Sequence, residues 1–227
     1  MNWHHEQLPE TLPPEPLSIA ARWLTEATRL AAQPNPNSMA LATVDARGQP
    51  AARIVLCKEI VAQPGYITFY SNYRSRKGLD LAANPRAAVV MHWDALHRQV
   101  RIAGTVVETG AADSDAYFAS RHWHSRLGAW ASQQSMPIAS RAALLAQVAA
   151  AAERFHAPAP ADAQQPDPGA LIPRPPHWGG YQLWAETVEL WVEGRARIHD
   201  RAQWSRALTP HAGAFTPGPW TATRLQP

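Results

Sequence analysis

Residues 38–58 read SMALATVDARGQPAARIVLCK, and the architecture turns on this stretch. Two apolar runs, Ser38 to Asp45 and Ala51 to Lys58, flank the turn-rich segment Ala46-Arg47-Gly48-Gln49-Pro50. Runs of that length with a Gly- and Pro-containing break between them read as a β-hairpin. The same punctuation recurs on either side. Tyr66 to Ser71 follows the turn Gln63-Pro64-Gly65, and Ala87 to Trp93 and Gln99 to Glu108 are further strand-like runs. Tyr181 to Val192, Arg195 to Arg201 and Trp220 to Leu225 read as strands near the C-terminus. Helical patterns are fewer. Leu17 to Ala32 sets Ile19, Trp23, Ala27 and Leu30 on one face at the spacing of an amphipathic helix. Ser75 can cap a short helix that stops at Asn84-Pro85, since proline disfavours helix in the residue before it. Ala111 to Ser120 and Ile138 to Phe155 complete the set. Many short strands, few helices and no steady βα alternation predict a mainly β (α+β) fold, a barrel with peripheral helices.

Composition narrows the function classes. The chain has 227 residues and a formal net charge of +3, too weak a balance for a general nucleic-acid binder. The single cysteine, Cys57, excludes an intramolecular disulfide and fits a reducing compartment. No run approaches the ~18 apolar residues of a membrane span. Met1 to Pro16 carries Glu6, Glu10 and Glu15 but no Lys or Arg, unlike a signal peptide. The expectation is a soluble cytoplasmic protein with neither nucleic-acid nor membrane partners. Four prolines fall in residues 1–16 and seven in 158–176. Such stretches neither pair in sheets nor continue helices. They predict a flexible N-terminal arm over 1–16, then one domain over 17–227 interrupted by a Pro-rich insertion at about 156–176.

The catalytic motifs that are missing matter as much as those present. The sequence has no G-x-G-x-x-G, P-loop, H-E-x-x-H or G-x-S-x-G, the fingerprints of dinucleotide, nucleotide, zinc and serine-hydrolase sites. His122-Trp123-His124 lacks a third ligand at a supporting offset, so no metal is expected. Of the 21 basic residues only Lys58 and Lys77 are lysines, and both lie in cation- and hydroxyl-rich motifs. In a strand, Arg53 and Lys58 differ by an odd number and should face opposite sides of the sheet, touching two different anions. Ser75-Arg76-Lys77 brings a hydroxyl and two cations to a helix start, a good site for phosphate. Tyr117, Arg121 and Ser125 fall at i, i+4 and i+8, so one continuous helix would stack them as a second phosphate clamp.

With these blocks in place the chain resembles the pyridoxine/pyridoxamine 5′-phosphate oxidases. Arg53-Ile54-Val55-Leu56-Cys57-Lys58, Ser75-Arg76-Lys77-Gly78 and Tyr117-Phe118-Ala119-Ser120-Arg121 come in the family's order. Gly128-Ala129-Trp130-Ala131-Ser132-Gln133-Gln134-Ser135, Trp178-Gly179-Gly180-Tyr181, Glu189-Leu190-Trp191 and Arg197-Ile198-His199-Asp200-Arg201 follow. The resemblance implies an FMN-binding split β-barrel that dimerises with FMN at the subunit interface. It implies cofactor contacts from Arg53, Ile54, Val55, Leu56, Lys58, Tyr70, Ser71, Ser75, Arg76, Lys77, Gln99, Gln134, Ser135, Trp191 and Arg201. Lys58, Tyr117, Arg121 and Ser125 would clamp the substrate phosphate, while Arg197 and His199 cover its ring as the catalytic pair. The implied reaction oxidises pyridoxine or pyridoxamine 5′-phosphate to pyridoxal 5′-phosphate, with O2 as acceptor and hydrogen peroxide released. Two rivals remain: a sibling flavin oxidase of phenazine biosynthesis, and a non-catalytic FMN-, haem- or vitamer-binding protein. The chain departs from the family in lacking any basic residue before Arg22 and in its 156–176 and His211 to Pro219 insertions.

Overall fold

The structure, a computed structural model, describes residues 7–158 and 165–227. The chain divides into two compact units, Met1–Phe69 with Ala83–Val107 and Gln182–Pro227, and Tyr70–Ala82 with Glu108–Tyr181. Its strands are β1 (Ser38–Val44), β2 (Pro50–Leu56), β3 (Glu59–Val61), β4 (Tyr66–Asn72), β5 (Arg86–Trp93), β6 (Arg98–Glu108) and β7 (Trp178–Val192). They continue with β8 (Asp200–Ser205), β9 (Leu208–His211), β10 (Ala214–Pro217) and β11 (Thr221–Leu225). Nine form one sheet in the order β11-β8-β7-β6-β5-β1-β2, with β3 on β4 and β4 on β7, while β9 and β10 pair separately. The α-helices among the described residues are α1 (Leu17–Arg29), α2 (Arg76–Ala83), α3 (Ala111–Ser120), α4 (Trp123–Ala131) and α5 (Arg141–Arg154). The fold is mainly β, as expected. None of the described helices is long and apolar enough to cross a membrane.

In the first unit the hairpin forms where its sequence predicts. Asp45 Oδ1 accepts the N–H groups of Arg47 and Gln49, and Gly48 takes the positive φ of 84° that closes the turn, a conformation glycine adopts without steric cost. Val44 then pairs with Pro50 and Leu41 with Arg53. Alternation on β1 and β5 sends Met39, Leu41, Val89, Met91 and Trp93 into the core, and each such aliphatic side chain contributes about 1.5–3 kcal/mol. Helix α1 starts where the Glu15 carboxylate accepts the N–H groups of Leu17 and Ser18. Its buried face is Leu17, Ala20, Trp23 and Ala27. Trp23 and Ala27 match expectation, but Leu30 lies past the helix end and is exposed. Arg98 is buried, paired with Glu26 and seated over the Trp23 ring, which ties α1 to β6.

Other expectations are corrected. β2 ends at Leu56, so Lys58 lies in a two-residue break and the alternation argument does not reach it. The strand expected over Arg195 to Arg201 begins only at Asp200, because Ala196 and Arg197 take positive φ values of 54° and 65°. The His211 to Pro219 extension contributes to a hairpin of β9 and β10, turned through Ala212 and Gly213, both at positive φ. From Leu8 onward the N-terminal arm is held: Leu8 N–H donates to Asp200, Trp204 Nε1 to Pro13 O, and Arg224 to Pro9 O. Residues 1–6 of that arm, and 159–164 of the insertion, lie outside the described residues.

The second unit is built on helices. Phe118, Trp123, Leu127, Ala151, Ile172 and Trp178 share its core. The α5 N-terminus is capped by Ser140 Oγ, which accepts the Ala143 N–H at 3.0 Å.

Candidate functional site

The predicted site residues fall into two groups, one in each unit. In the second unit, Ser75 is buried and Lys77 follows it on the first turn of α2. The Lys77 ammonium is buried as well, and donates to Ser71 Oγ at 2.9 Å, Ser75 Oγ at 2.9 Å and Gln134 Oε1 at 3.0 Å. Side chains from β4, the α2 start and the loop after α4 thus converge on one cation. Arg76 instead turns to Asp80 at 2.8 Å, an i,i+4 pair. Ser135, beside Gln134, has φ 72°, a left-handed conformation that costs a non-glycine residue about 1–2 kcal/mol.

The second expected clamp forms by a different route. A continuous helix through Arg121 does not exist: α3 ends at Ser120, Arg121 is extended at φ −74°, ψ 147°, and α4 begins at Trp123. Even so, Arg121 and Ser125 border a cavity of about 340 Å³ together with Tyr70, Ser71, Gln134 and Trp178. Tyr117 stacks on Tyr70 with ring centroids 3.9 Å apart. Residues expected to serve cofactor and residues expected to serve substrate therefore share one cavity.

Arg121 is the most informative group in it. Its guanidinium lies over Trp178 at 4.6 Å and Phe118 at 5.5 Å from the ring centroids. Burial pulls its pKa below the usual guanidinium value, because desolvation disfavours the charged form. Its Nη1 is buried without a hydrogen-bond partner, an arrangement that costs more than ~1–3 kcal/mol for a charged group. Arg121 thus brings to the cavity wall a stacked guanidinium whose Nη1 no protein group satisfies, a cation of the type that binds oxyanions.

In the first unit Arg53 lies on β2, where its Nη1 donates to Thr43 Oγ1 at 2.6 Å and Leu41 O at 3.2 Å. Ile54 is exposed, Val55 and Leu56 are half-buried, and Lys58 is exposed. Gln99 is half-buried on β6, opposite His92. Trp191 on β7 is in register with Arg201 on β8. The Arg201 guanidinium grips Glu189 through Nε at 3.1 Å and Nη2 at 2.9 Å, and Glu189 also takes Arg101 at 2.8 Å. His199 accepts the Gly194 N–H at its Nδ1, 3.1 Å away, and its ring lies 4.7 Å from that of Trp191. With Nδ1 accepting, the neutral ring presents Nε2–H as its donor. Arg197 is exposed on the same loop. Cys57 is buried, and desolvation raises its thiol pKa to about 12, so it is no nucleophile. No cluster of three or more metal-ligating side chains occurs among the described residues.

Three contributors carried no role in the sequence reading: Thr43, which receives Arg53; Trp178, under Arg121; and Glu189, between two arginines. Trp178 had a signal, as the first residue of the W-G-G-Y block. Thr43 had only its cross-strand position two residues from Leu41, the partner of Arg53.

A mainly β sheet with peripheral helices is the architecture of the split-barrel class of protein, and solved structures agree. PhzG from Burkholderia lata 383, in complex with tetrahydrophenazine-1-carboxylic acid, superposes with a TM-score of 0.78 at 26% identity, covering 95% of this chain and 94% of its own. A pyridoxamine 5′-phosphate oxidase-related, FMN binding protein from Nostoc punctiforme shares the fold with a TM-score of 0.64 at 18% identity, covering 96% and 100%. The chain belongs to the pyridoxamine 5′-phosphate oxidase family: residues 24–155 match that family, and 178–227 match the pyridoxine 5′-phosphate oxidase C-terminal dimerisation region. A pyridoxine/pyridoxamine 5′-phosphate oxidase of Burkholderia multivorans is 48% identical over 216 residues, spanning 94% of this chain and 90% of its own. One of Cereibacter sphaeroides is 44% identical over 214 residues, spanning 94% and 95%.

Proposed function

We propose that this chain is an FMN-dependent oxidase of pyridoxine 5′-phosphate and pyridoxamine 5′-phosphate, acting in the cytoplasm as a homodimer with FMN at the subunit interface. The alcohol and O2 would give pyridoxal 5′-phosphate and hydrogen peroxide; the amine would also consume water and release ammonia. The observation that carries this reading is the buried, unpartnered Arg121 Nη1 at a cavity shared with Ser125 and Ser71. An anionic, phosphate-bearing ligand supplies what that group lacks.

The donor set fits the cofactor. Lys77, Ser71, Ser75 and Gln134 already converge as one cation and three oxygens; with Arg53 and Arg76 they would hold the FMN phosphate. Ile54, Val55, Leu56, Lys58, Tyr70, Gln99, Ser135, Trp191 and Arg201 would border the rest of the flavin. Bound FMN would supply the redox chemistry, a hydride acceptor with O2 as the final oxidant. The protein supplies position. Lys58, Tyr117, Arg121 and Ser125 would hold the substrate phosphate, and Arg197 with the Nε2–H of His199 would cover the ring. Reacting atoms must be held roughly 3–3.5 Å apart, which a clamped phosphate and a covered ring impose.

The test is peroxide and pyridoxal 5′-phosphate release when either vitamer is added to the FMN-loaded protein; a yellow protein inert to both overturns the reading. A second reading, oxidation of a reduced phenazine precursor, is favoured by the structural similarity to PhzG. The same flavoprotein challenged with tetrahydrophenazine-1-carboxylic acid separates the two, and the 44–48% identities to the B6 oxidases favour the first.

Two variants probe the assignment. Lys58→Ala is expected to raise KM for pyridoxine 5′-phosphate about 10–100-fold, the worth of a charge-assisted hydrogen bond, while FMN affinity holds. Loss of FMN instead would leave Lys58 as a flavin contact alone and remove it from the substrate clamp. Gly194→Ala should disturb the catalytic loop, because a Cβ there would lie 1.6 Å from Ile198 O. Misplacement of that kind costs turnover about 10²-fold, with far-ultraviolet circular dichroism unchanged. Wild-type turnover in this variant would separate the loop's geometry from the reaction.

A further inference from the structure

Helix α4 presents two different faces. Ser125, Gly128 and Ala129, at i, i+3 and i+4 and so along one side, border the cavity, as does Ser132 just past the helix end. Trp123, Arg126 and Trp130, at i, i+3 and i+7, hold a different partner. Trp123 Nε1 donates to Gln165 O at 3.2 Å, Arg126 Nη2 to Asp167 Oδ2 at 2.7 Å, and Trp130 Nε1 to Pro173 O at 2.7 Å. All three acceptors belong to the described part of the Pro-rich insertion.

The insertion is anchored beyond α4 as well. Arg174 Nε pairs with Asp115 of α3 at 2.6 Å, and its Nη1 donates to Trp178 O at 2.7 Å. Ile172 is buried in the helical core. The Asp167 carboxylate is itself fixed, since its Oδ1 accepts the Gly169 N–H at 2.9 Å. Prolines at 166, 168, 173, 175 and 176 restrict the backbone, lowering the entropy lost in holding one path. Each anchor thus reaches an element that carries part of the anion clamp: α3 with Tyr117, α4 with Ser125, and Trp178 beneath Arg121.

We propose that this insertion is a brace for the clamp, and that Arg126 and Asp167 are positioning residues that set its affinity for a phosphate-bearing ligand. Arg126 follows Ser125 directly, and its side chain is 13% exposed against 48% for Asp167, so the pair is partly shielded from solvent screening. Releasing it frees the first turn of α4, and Ser125 moves with that turn. The proposal rests on the reading of Arg121 and Ser125 as an anion clamp, not on which vitamer is oxidised.

The test titrates inorganic phosphate into the full-length FMN-loaded protein, whose cofactor site is filled, followed by phosphorus NMR. Arg126→Gln and Asp167→Asn should each weaken phosphate about fivefold, the scale of a partly screened ion pair. FMN affinity should not change. Arg126→Lys should retain most of the affinity, and the exchange Arg126→Asp with Asp167→Arg should recover part of it. Hydrogen exchange across α4 should quicken in the two weakened variants. A lower melting temperature with unchanged phosphate affinity would make the pair a stability device only and overturn the proposal, as would a wild-type protein that binds no phosphate. Failure to oxidise either vitamer, with the phosphate results intact, would overturn the proposed substrate and leave the brace standing.

Discussion

Exchanging Arg197 for methionine is expected to lower turnover on phosphorylated B6 vitamers by about 10²–10³-fold, the scale of removing one preorganised stabilising group, while FMN stays bound. The backbone is why the experiment is clean. Arg197 has φ 65° and follows Ala196 at φ 54°, and a left-handed conformation costs an L-residue about 1–2 kcal/mol. Methionine at the same φ carries the same cost, so the variant changes the side chain and leaves the strain. Arg197→Gly separates the two. It removes the same guanidinium but relieves the backbone, and after the extra unfolded-state entropy of glycine it should gain up to about 1 kcal/mol. Loss of turnover with gain of stability is the signature of strain kept for function. Steady-state kinetics and a urea titration on the two variants check it. Near-normal turnover in Arg197→Met would remove Arg197 from the mechanism, and destabilisation in Arg197→Gly would show that the loop stores no strain there.

That strain also marks a limit of the sequence. Arg195 to Arg201 has the composition of a strand, and nothing in Arg-Ala-Arg announces two consecutive left-handed residues. The conformation goes with a close turn of the loop on itself: Gly194 donates to His199, and Ile198 O lies so near Gly194 that no Cβ fits. The hairpin at residues 38–58 was legible because its information is local, with Asp45 and Gly48 closing the turn and alternation on β1 setting the register. The Tyr117, Arg121 and Ser125 triplet was legible as chemistry and misread as geometry. No Gly or Pro marks the break at Arg121; Trp123 must be buried in the helical core, and the chain breaks to put it there. Once broken, Arg121 stacks on Trp178, a residue 57 positions away. Pairings at that separation leave no periodic trace in a single sequence. Lys58 shows the same limit on a smaller scale: β2 ends at Leu56, two residues before Lys58, so side-chain parity along the strand does not reach it.

Lys77→Met is expected to weaken FMN about 10²-fold. Lys77 is buried beneath three oxygens that orient its ammonium, so its rotamer is set before any ligand arrives and binding loses little side-chain entropy. A charge-assisted hydrogen bond to phosphate is worth about 1.5–3 kcal/mol, and each 1.4 kcal/mol is about tenfold in affinity. The consequence reaches stability through linkage. At a flavin concentration about 100 times the wild-type dissociation constant, binding stabilises the folded protein by about 2.7 kcal/mol. With affinity lowered 10²-fold the same flavin concentration gives only about 0.4 kcal/mol. For a chain of this size each kcal/mol moves Tm by about 2–4 °C, so the rise in Tm on adding FMN should shrink by about 5–9 °C. Methionine matches lysine in length and leaves the cavity filled, which keeps the apoprotein folded for the comparison. Fluorescence titration of the apoprotein with FMN gives the affinity, and paired melts with and without FMN give the linkage. A Lys77→Met protein that binds FMN as tightly as wild type would move the cofactor phosphate away from the α2 start and leave Arg53 as the remaining cation to test.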